Sequence, residues 1–333
     1  MASLALVHAQ WSTALHHNRN KQVAVVRRKG IILSSTSHRF PTAFQRFPQR
    51  RFSCGFPIGA QERGNGDAAA THEENQLVRI VLQSSLWAAE AVYILWLFFL
   101  PYAPGDPVWA IKSNTVNDLM GLSLNFFLIL PLANLVGIHV IEAPVLHPMA
   151  EGLFNLVIGW TFLFAPLLFT DHRRGRFRGS LDLLWGFQMF LTNTFLIPYM
   201  AIRLNNRSDN TDQSPLKSSK LGLLMTKGAR SVGLIGGIVC FVSIIWAFLG
   251  RPESGFGDFD GRWRFLEHYI GSERLAYAFI WDIILYAVFQ PWLIGDNLQN
   301  VRMSDQELVN VLRYMPVVGL VAYLLCLDDD SDL

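Results

Sequence analysis

Charge is what this sequence has least of. Only 16% of its 333 residues are Asp, Glu, Lys or Arg, whereas 51% are hydrophobic; a soluble domain carries roughly 25% charge. The shortage argues against a water-soluble globule and points to lipid as the solvent. Carboxylates are missing altogether from Met1 to Ala60, Glu62 being the first. Cysteine is scarce. Cys54, Cys240 and Cys326 are the three, and no C-x-x-C occurs, so neither a redox motif nor a zinc ribbon is available. Cys240 and Cys326 lie in separate apolar blocks, where a lone thiol behaves as a small hydrophobe. The G-x-x-x-x-G-K-[ST] loop, the G-x-S-x-G elbow, H-E-x-x-H and the repeated histidine boxes of membrane desaturases are also absent. Common chemistries are thereby disfavoured, and no cofactor is expected.

The acid-free start carries nine basic residues, Arg19, Lys21, Arg27, Arg28, Lys29, Arg39, Arg46, Arg50 and Arg51, among Ser, Thr and His. That is the composition of an organellar transit peptide, which must be drawn to anionic import surfaces and stay unfolded. Met-Ala-Ser at the start favours plastid over mitochondrion; the alternative is a disordered basic arm. The expected organisation is a transit peptide over 1–61, cut between Arg51 and Asn65, near Ser53-Cys54-Gly55. A polar leader over 62–77, a helical membrane domain over 78–327 and an acidic tail over 328–333 follow. Without the nine basic residues the chain has 19 cations against 26 acids, a charge of −7. The basic pI is therefore no evidence for a nucleic-acid partner.

The apolar residues gather in blocks of about 20, long enough to cross roughly 30 Å of hydrocarbon as helix. Seven qualify: 80–100, 119–141, 149–169, 181–202, 232–249, 275–294 and 309–327. Each must be helical, because an isolated strand leaves backbone groups unpaired in lipid. The expected fold class is an all-α polytopic bundle of about seven helices. Six remain if the last block, interrupted by Arg313 and Pro316, does not cross. The segment 250–274 mixes Trp263, Phe265, Tyr269 and Ile270 with charges, as an interfacial element does. With seven crossings, the Lys and Arg residues divide nine to nine between the two sides and assign no orientation. The short Arg173–Arg178 loop favours the stroma for its own side.

Ionisable residues at membrane depth are functional candidates, since a charge there costs roughly 2.5–3.5 kcal/mol even on the insertion scale. Glu90 lies at the centre of the first block and Asp282 near the centre of the sixth. The two acids are expected to be protonated, or hydrogen-bonded across the bundle to Asn125, Asn134, Asn155, Gln188 or Asn193, and such bonds also serve as plain packing glue. His139 with Glu142, and His147 with Glu151, could share helix faces as a weak metal constellation. The order is not the E-x-x-H of di-iron bundles, however, and Pro144 and Pro148 interrupt it, so an interfacial turn fits better. Arg173, Arg174, Arg176 and Arg178 are candidates for anionic lipid. F-x-P-x-x-x-x-D recurs at Phe99–Asp106, Phe164–Asp171 and Phe289–Asp296; the unequal intervals favour convergent punctuation over duplication. Gly233-x-x-x-Gly237 is a close-packing pair.

The segments GLFNLVIGWTFLFAPLLFTD (152–171), LWGFQMFLTNTFLIPYMAI (184–202) and WDIILYAVFQPWLIGD (281–296) carry a likeness. Over about 78–327 the chain resembles a plant family of plastid multi-pass membrane proteins with cyanobacterial relatives and no agreed biochemical activity. The resemblance implies plastid location, the inner envelope ahead of the thylakoid, and supplies no catalytic residues. The expected function is a transport-type or other non-catalytic membrane role using a polar bundle interior. The alternatives are an enzyme of lipid or pigment substrates and an assembly factor for a plastid membrane complex. Membrane lipids, and a membrane protein complex on the last reading, are the expected partners.

Overall fold

The computed structural model describes residues 65–205 and 219–328, with side chains from residue 76 onward. The expected transit peptide, the loop 206–218 and the tail from Asp329 lie outside the described residues. What is described is helical, and its one β feature is an isolated antiparallel bridge between Val301 and Leu327.

Four helices are long and apolar enough to cross a membrane. They lie in α1 (Asn65–Ile94, continued by a π turn over Leu95–Phe99), α4 (Pro148–Thr170), α8 (Ala229–Leu249) and α10 (Arg274–Asp296). The centre is α4, 89% of whose most apolar stretch is buried, against 17% for α1, which leaves most of its apolar surface facing outward. Pro148 sits in the first turn of α4, where its missing N–H costs nothing, and the His147 ring accepts from Met149 N. Small residues let α8 lie against it. A Cβ on Gly152 would come 2.6 Å from the Ser243 carbonyl oxygen, and one on Gly236 would come 2.6 Å from the Leu163 side chain. Gly233 and Gly237 face α12 (Val318–Leu325) instead, against Leu324 and Val321.

The other three expected spans are not single helices. Block 119–141 becomes α2 (Ser113–Leu124) and α3 (Ile129–Leu135), bent by 43°, which would be a fifth crossing by length and composition. Block 181–202 becomes α5 (Leu181–Leu191) and α6 (Asn193–Ile202). Block 309–327 becomes α11 (Gln306–Leu312) and α12. Each break falls on non-glycine residues with positive φ: Phe127 and Leu128, Thr192 at 39°, and Val317 at 62°. Such conformations cost about 1–3 kcal/mol each and persist only where the surroundings impose them.

Hydrogen bonds show that both arms of each broken pair return to the side they came from. For α11–α12, the Val301–Leu327 bridge closes the two ends, reinforced by Arg302 N donating to Cys326 O and Asp328 N to Asn300 O. For α5–α6, Arg176 Nη1 before α5 donates to Arg203 O after α6 at 2.6 Å, and the Phe187 and Phe195 rings stack across the hairpin at 5.3 Å. For α2–α3, Thr115 Oγ1 in the first turn of α2 donates to Glu273, just before α10, and the chain that leaves α3 enters α4 where Glu151 pairs with Arg251; Asn125 Nδ2, at the break, donates to Pro144 O.

This folding back separates the basic residues. One side, named here for Arg203, gathers Arg79, Arg173, Arg174, Arg176, Arg178, Arg203, Lys220, Lys227, Arg230 and Arg302. The opposite side, named for Arg251, has Lys112, Arg251, Arg262, Arg264 and Arg274. With Arg313 set apart at the turn between α11 and α12, the division among the described residues is ten to five, where seven crossings gave a tie. On the Arg251 side, the expected interfacial segment is the amphipathic helix α9 (Phe259–Ser272). Its Arg262 donates to the Ala247 and Gly250 carbonyls and caps the end of α8.

Candidate functional site: a lone carboxylate at a helix break

Asp282 lies eight residues into α10, about 12 Å along its axis at 1.5 Å per residue. Its carboxylate meets the break between α5 and α6. Thr192 Oγ1 and Asn193 Nδ2 each donate to Oδ1 at 2.7 Å, and Tyr93 Oη of α1 donates at 3.0 Å. The break places Asp282 at the start of α6, the positive end of its dipole. One turn along α10, Tyr286 Oη pairs with Thr161 Oγ1 of α4 at 2.6 Å. Gln188, one turn before Thr192, lies against Tyr286, yet neither of its amide atoms has a partner in hydrogen-bond geometry. Asn193 Oδ1 is likewise buried and unpartnered. The site thus joins five helices, α1, α4, α5, α6 and α10, around one acid and several orphaned polar atoms.

Glu90 is buried on α1, three residues before Tyr93 and on the same helix face. Its Oε2 has no hydrogen-bond partner. Among the hydrogen bonds of the described residues none therefore links the two acid candidates.

The expected metal constellation is dispersed. Glu151 forms a two-point ion pair with Arg251, at 2.7 and 3.0 Å, and also accepts from Asn125 Nδ2 and Trp246 Nε1. Asn155 Nδ2 donates to the Asn125 and Glu151 carbonyls, so these amides hold the α2–α3 turn against α4. The His147 ring stacks on Phe265 at 3.5 Å. Its pKa is lowered to about 4 by burial and by the charge of Arg262. His139 and Glu142 are exposed on the returning chain, and Asn134 serves as that chain's backbone cap. Among the described residues no three His, Cys, Asp or Glu side chains gather as a metal site.

Three of the four arginines proposed for anionic lipid are engaged within the protein. Arg174 donates to Phe169 O, Arg176 to Arg203 O, and Arg173 pairs with Asp296 at 3.5 Å; Arg178 is exposed. The recurring F-x-P-x-x-x-x-D motif gains a partial meaning here. Asp171 and Asp296, closing two copies, converge on the fully buried Arg203, which donates to Asp171 at 2.9 Å twice and to Asp296 at 2.8 Å. Asp106, closing the third, pairs with Lys112 on the Arg251 side.

Sequence reasoning missed Thr192, Tyr93, Gln290 and Arg203. The run Thr192-Asn193-Thr194 inside an apolar block was the available signal for a break. Gln290 anchors the other hairpin tip: it donates to the Arg313 and Met315 carbonyls and accepts from Val317 N and Trp160 Nε1. No family model, curated protein or solved structure matches the chain, so the likeness to a plant plastid family rests on the three segments that suggested it.

Proposed function

We propose that this is a plastid membrane protein of transport type, which moves a small polar solute or ion past Asp282. The observation that carries the reading is the break between α5 and α6. Non-helical backbone at membrane depth is tolerated where it is enclosed by protein or lines a polar path, and broken helices meeting an ionisable group mark the binding sites of transporters. Unpartnered amide atoms of Gln188 and Asn193 beside that acid support the same reading.

The hydrogen-bonded ends support four crossings with three re-entrant hairpins as the topology of this transporter. The ten-to-five division of basic residues supports the Arg203 side facing the stroma. The acid-free leader supports plastid import with removal of roughly 6–7 kDa, and the family likeness supports the inner envelope. Precursor made in vitro and offered to isolated chloroplasts is expected to shorten by that amount and to resist carbonate extraction; import by mitochondria instead would refute the location.

Function is tested in vesicles loaded with ion-sensitive and pH-sensitive dyes. Wild type should raise flux over protein-free vesicles, and Asp282→Asn, folded to the same melting profile, should abolish the increase. Equal flux from the variant would remove Asp282 from the path. A second reading, an enzyme of lipophilic substrates, draws on an apolar cavity of about 320 Å³ between α1 and α10. Trp96, Trp281 and Tyr93 line it, and Tyr93 reaches Asp282. Conversion of an added plastid lipid extract by the purified chain, lost in Asp282→Asn, would favour this second reading. The assembly-factor alternative predicts co-migration with a larger complex on native gels.

A further inference from the structure

Four carboxylates are buried among the described residues: Glu90, Glu151, Asp171 and Asp282. Glu151 has Arg251 and Asp171 has Arg203, so two of the four are neutralised by guanidinium. Asp282 is treated differently. Three donors converge on its Oδ1 and the start of α6 points at it, contacts that oppose the cost of burying its charge. Yet every partner is neutral: a tyrosine, a threonine and an asparagine. A buried negative charge stabilised in this way still lacks its counter-charge.

The surrounding orphans say what that counter-charge is. Gln188 Oε1 and Asn193 Oδ1 are fully buried acceptors without a partner in hydrogen-bond geometry, and Gln188 lies against Tyr286, whose hydroxyl pairs with Thr161. A proton on Asp282 would serve at most one acceptor and leave the rest unpaired. A metal ion accepts several oxygens at once. One carboxylate with neutral amide and hydroxyl oxygens, and no sulfur or imidazole, suits a hard cation. A single charge balances the single carboxylate, whereas a divalent ion would leave net charge in the bundle. The carbonyl end of α5 at the same break adds the negative end of a second helix dipole.

We propose that Asp282, Gln188 and Asn193 bind one alkali-metal cation, Na⁺ or K⁺, at the break between α5 and α6. The proposal rests on the transport reading and names the ion that occupies that site. Gln188 and Asn193 are positioned from the two arms of one re-entrant hairpin, so occupancy joins the arms to each other and to α10. The titratable groups facing Asp282 are Tyr93 and Tyr286.

The test uses the full chain, purified in detergent at constant pH and ionic strength, with NaCl or KCl replacing N-methylglucamine chloride. Melting is followed by tryptophan fluorescence. A saturable rise in melting temperature is expected for Na⁺ or K⁺ and not for N-methylglucamine. Asp282→Asn should lose the saturable rise, and in N-methylglucamine it should melt no lower than wild type, because it removes an uncompensated charge. Gln188→Leu should raise the half-saturating concentration at least tenfold, and it decides the matter if Asp282→Asn does not fold. Equal melting in all three salts, or a rise that survives in both variants, overturns the proposal. A rise on acidification without any response to Na⁺ or K⁺ overturns the metal and makes a proton the occupant. Saturable binding without ion flux in vesicles would retire the transport reading and leave the cation site standing; flux without saturable binding would do the reverse.

Discussion

Replacing Arg203 with Met should be the most damaging single change on the Arg203 side, because one side chain ties the ends of three helices. Arg203 follows α6 and donates two hydrogen bonds to Asp171 at the end of α4 and one to Asp296 at the end of α10. Arg203 and Asp171 are both fully buried. Burial raises the Asp171 pKa, but hydrogen bonds and charge from Arg203, with a further bond from Tyr199, outweigh it and hold the carboxyl below the ordinary value. Removing the guanidinium leaves that carboxylate buried with Tyr199, Asn297, the Arg173 amide and the His172 ring 3.7 Å away. Breaking a buried pair from one side costs about 3–5 kcal/mol. That is about two to three and a half orders of magnitude in the folding equilibrium. The assay is unfolding in mixed lipid–SDS micelles, followed by tryptophan fluorescence. Asp171→Asn added to Arg203→Met should recover part of the loss, since the uncompensated charge is then gone. The pH dependence has a definite sign. A depressed carboxylate pKa stabilises the fold above the unfolded value and loses that contribution as pH falls through the folded one, so wild type should show an acid-labile component that the double variant lacks. A cost below about 1 kcal/mol, the range of exposed pairs, or a double variant as unstable as the sum of its parts, would refute the reasoning.

Other consequences are as direct. Cysteines placed singly at Ser180 and Ser219 in a cysteine-free background should react with an impermeant maleimide from the same side of sealed vesicles; opposite accessibility would mean that 181–202 crosses. Gly152→Ala should cost about 1–3 kcal/mol by overpacking, because the new Cβ meets the α8 backbone and not a movable side chain; an unchanged unfolding midpoint would contradict that packing. His147 has its pKa lowered from 6.5 to about 4, so the unfolded chain binds its proton first. Its contribution should be constant above pH 6.5 and lost as pH falls from 6.5 towards 4, a slope that His147→Gln removes; an equal slope in the variant would show that His147 is not its source.

Hydropathy and composition made a helical membrane protein legible, because lipid admits few ways to satisfy a backbone and helices of apolar residues are the simplest. Four of the seven blocks are the long helices expected. The polar residues inside the blocks, Asp282, Asn125, Asn155, Gln188 and Asn193, were legible as positions that need hydrogen-bond partners inside the bundle. Their partners were not, because those partnerships span 89 residues from Asn193 to Asp282 and 130 from Trp160 to Gln290. Hydropathy also could not distinguish a crossing from a hairpin. A span and two arms of half its length have the same composition, and what separates them is the conformation of one residue, Thr192 or Val317, forced to positive φ by bonds from α10. The tie of nine basic residues to nine depended on counting all seven blocks as crossings. Glu151 shows the same limit from the other direction: beside His147 in sequence it reads as a metal ligand, and only the packing of α8 against α4 brings Arg251, 100 residues away, to neutralise it.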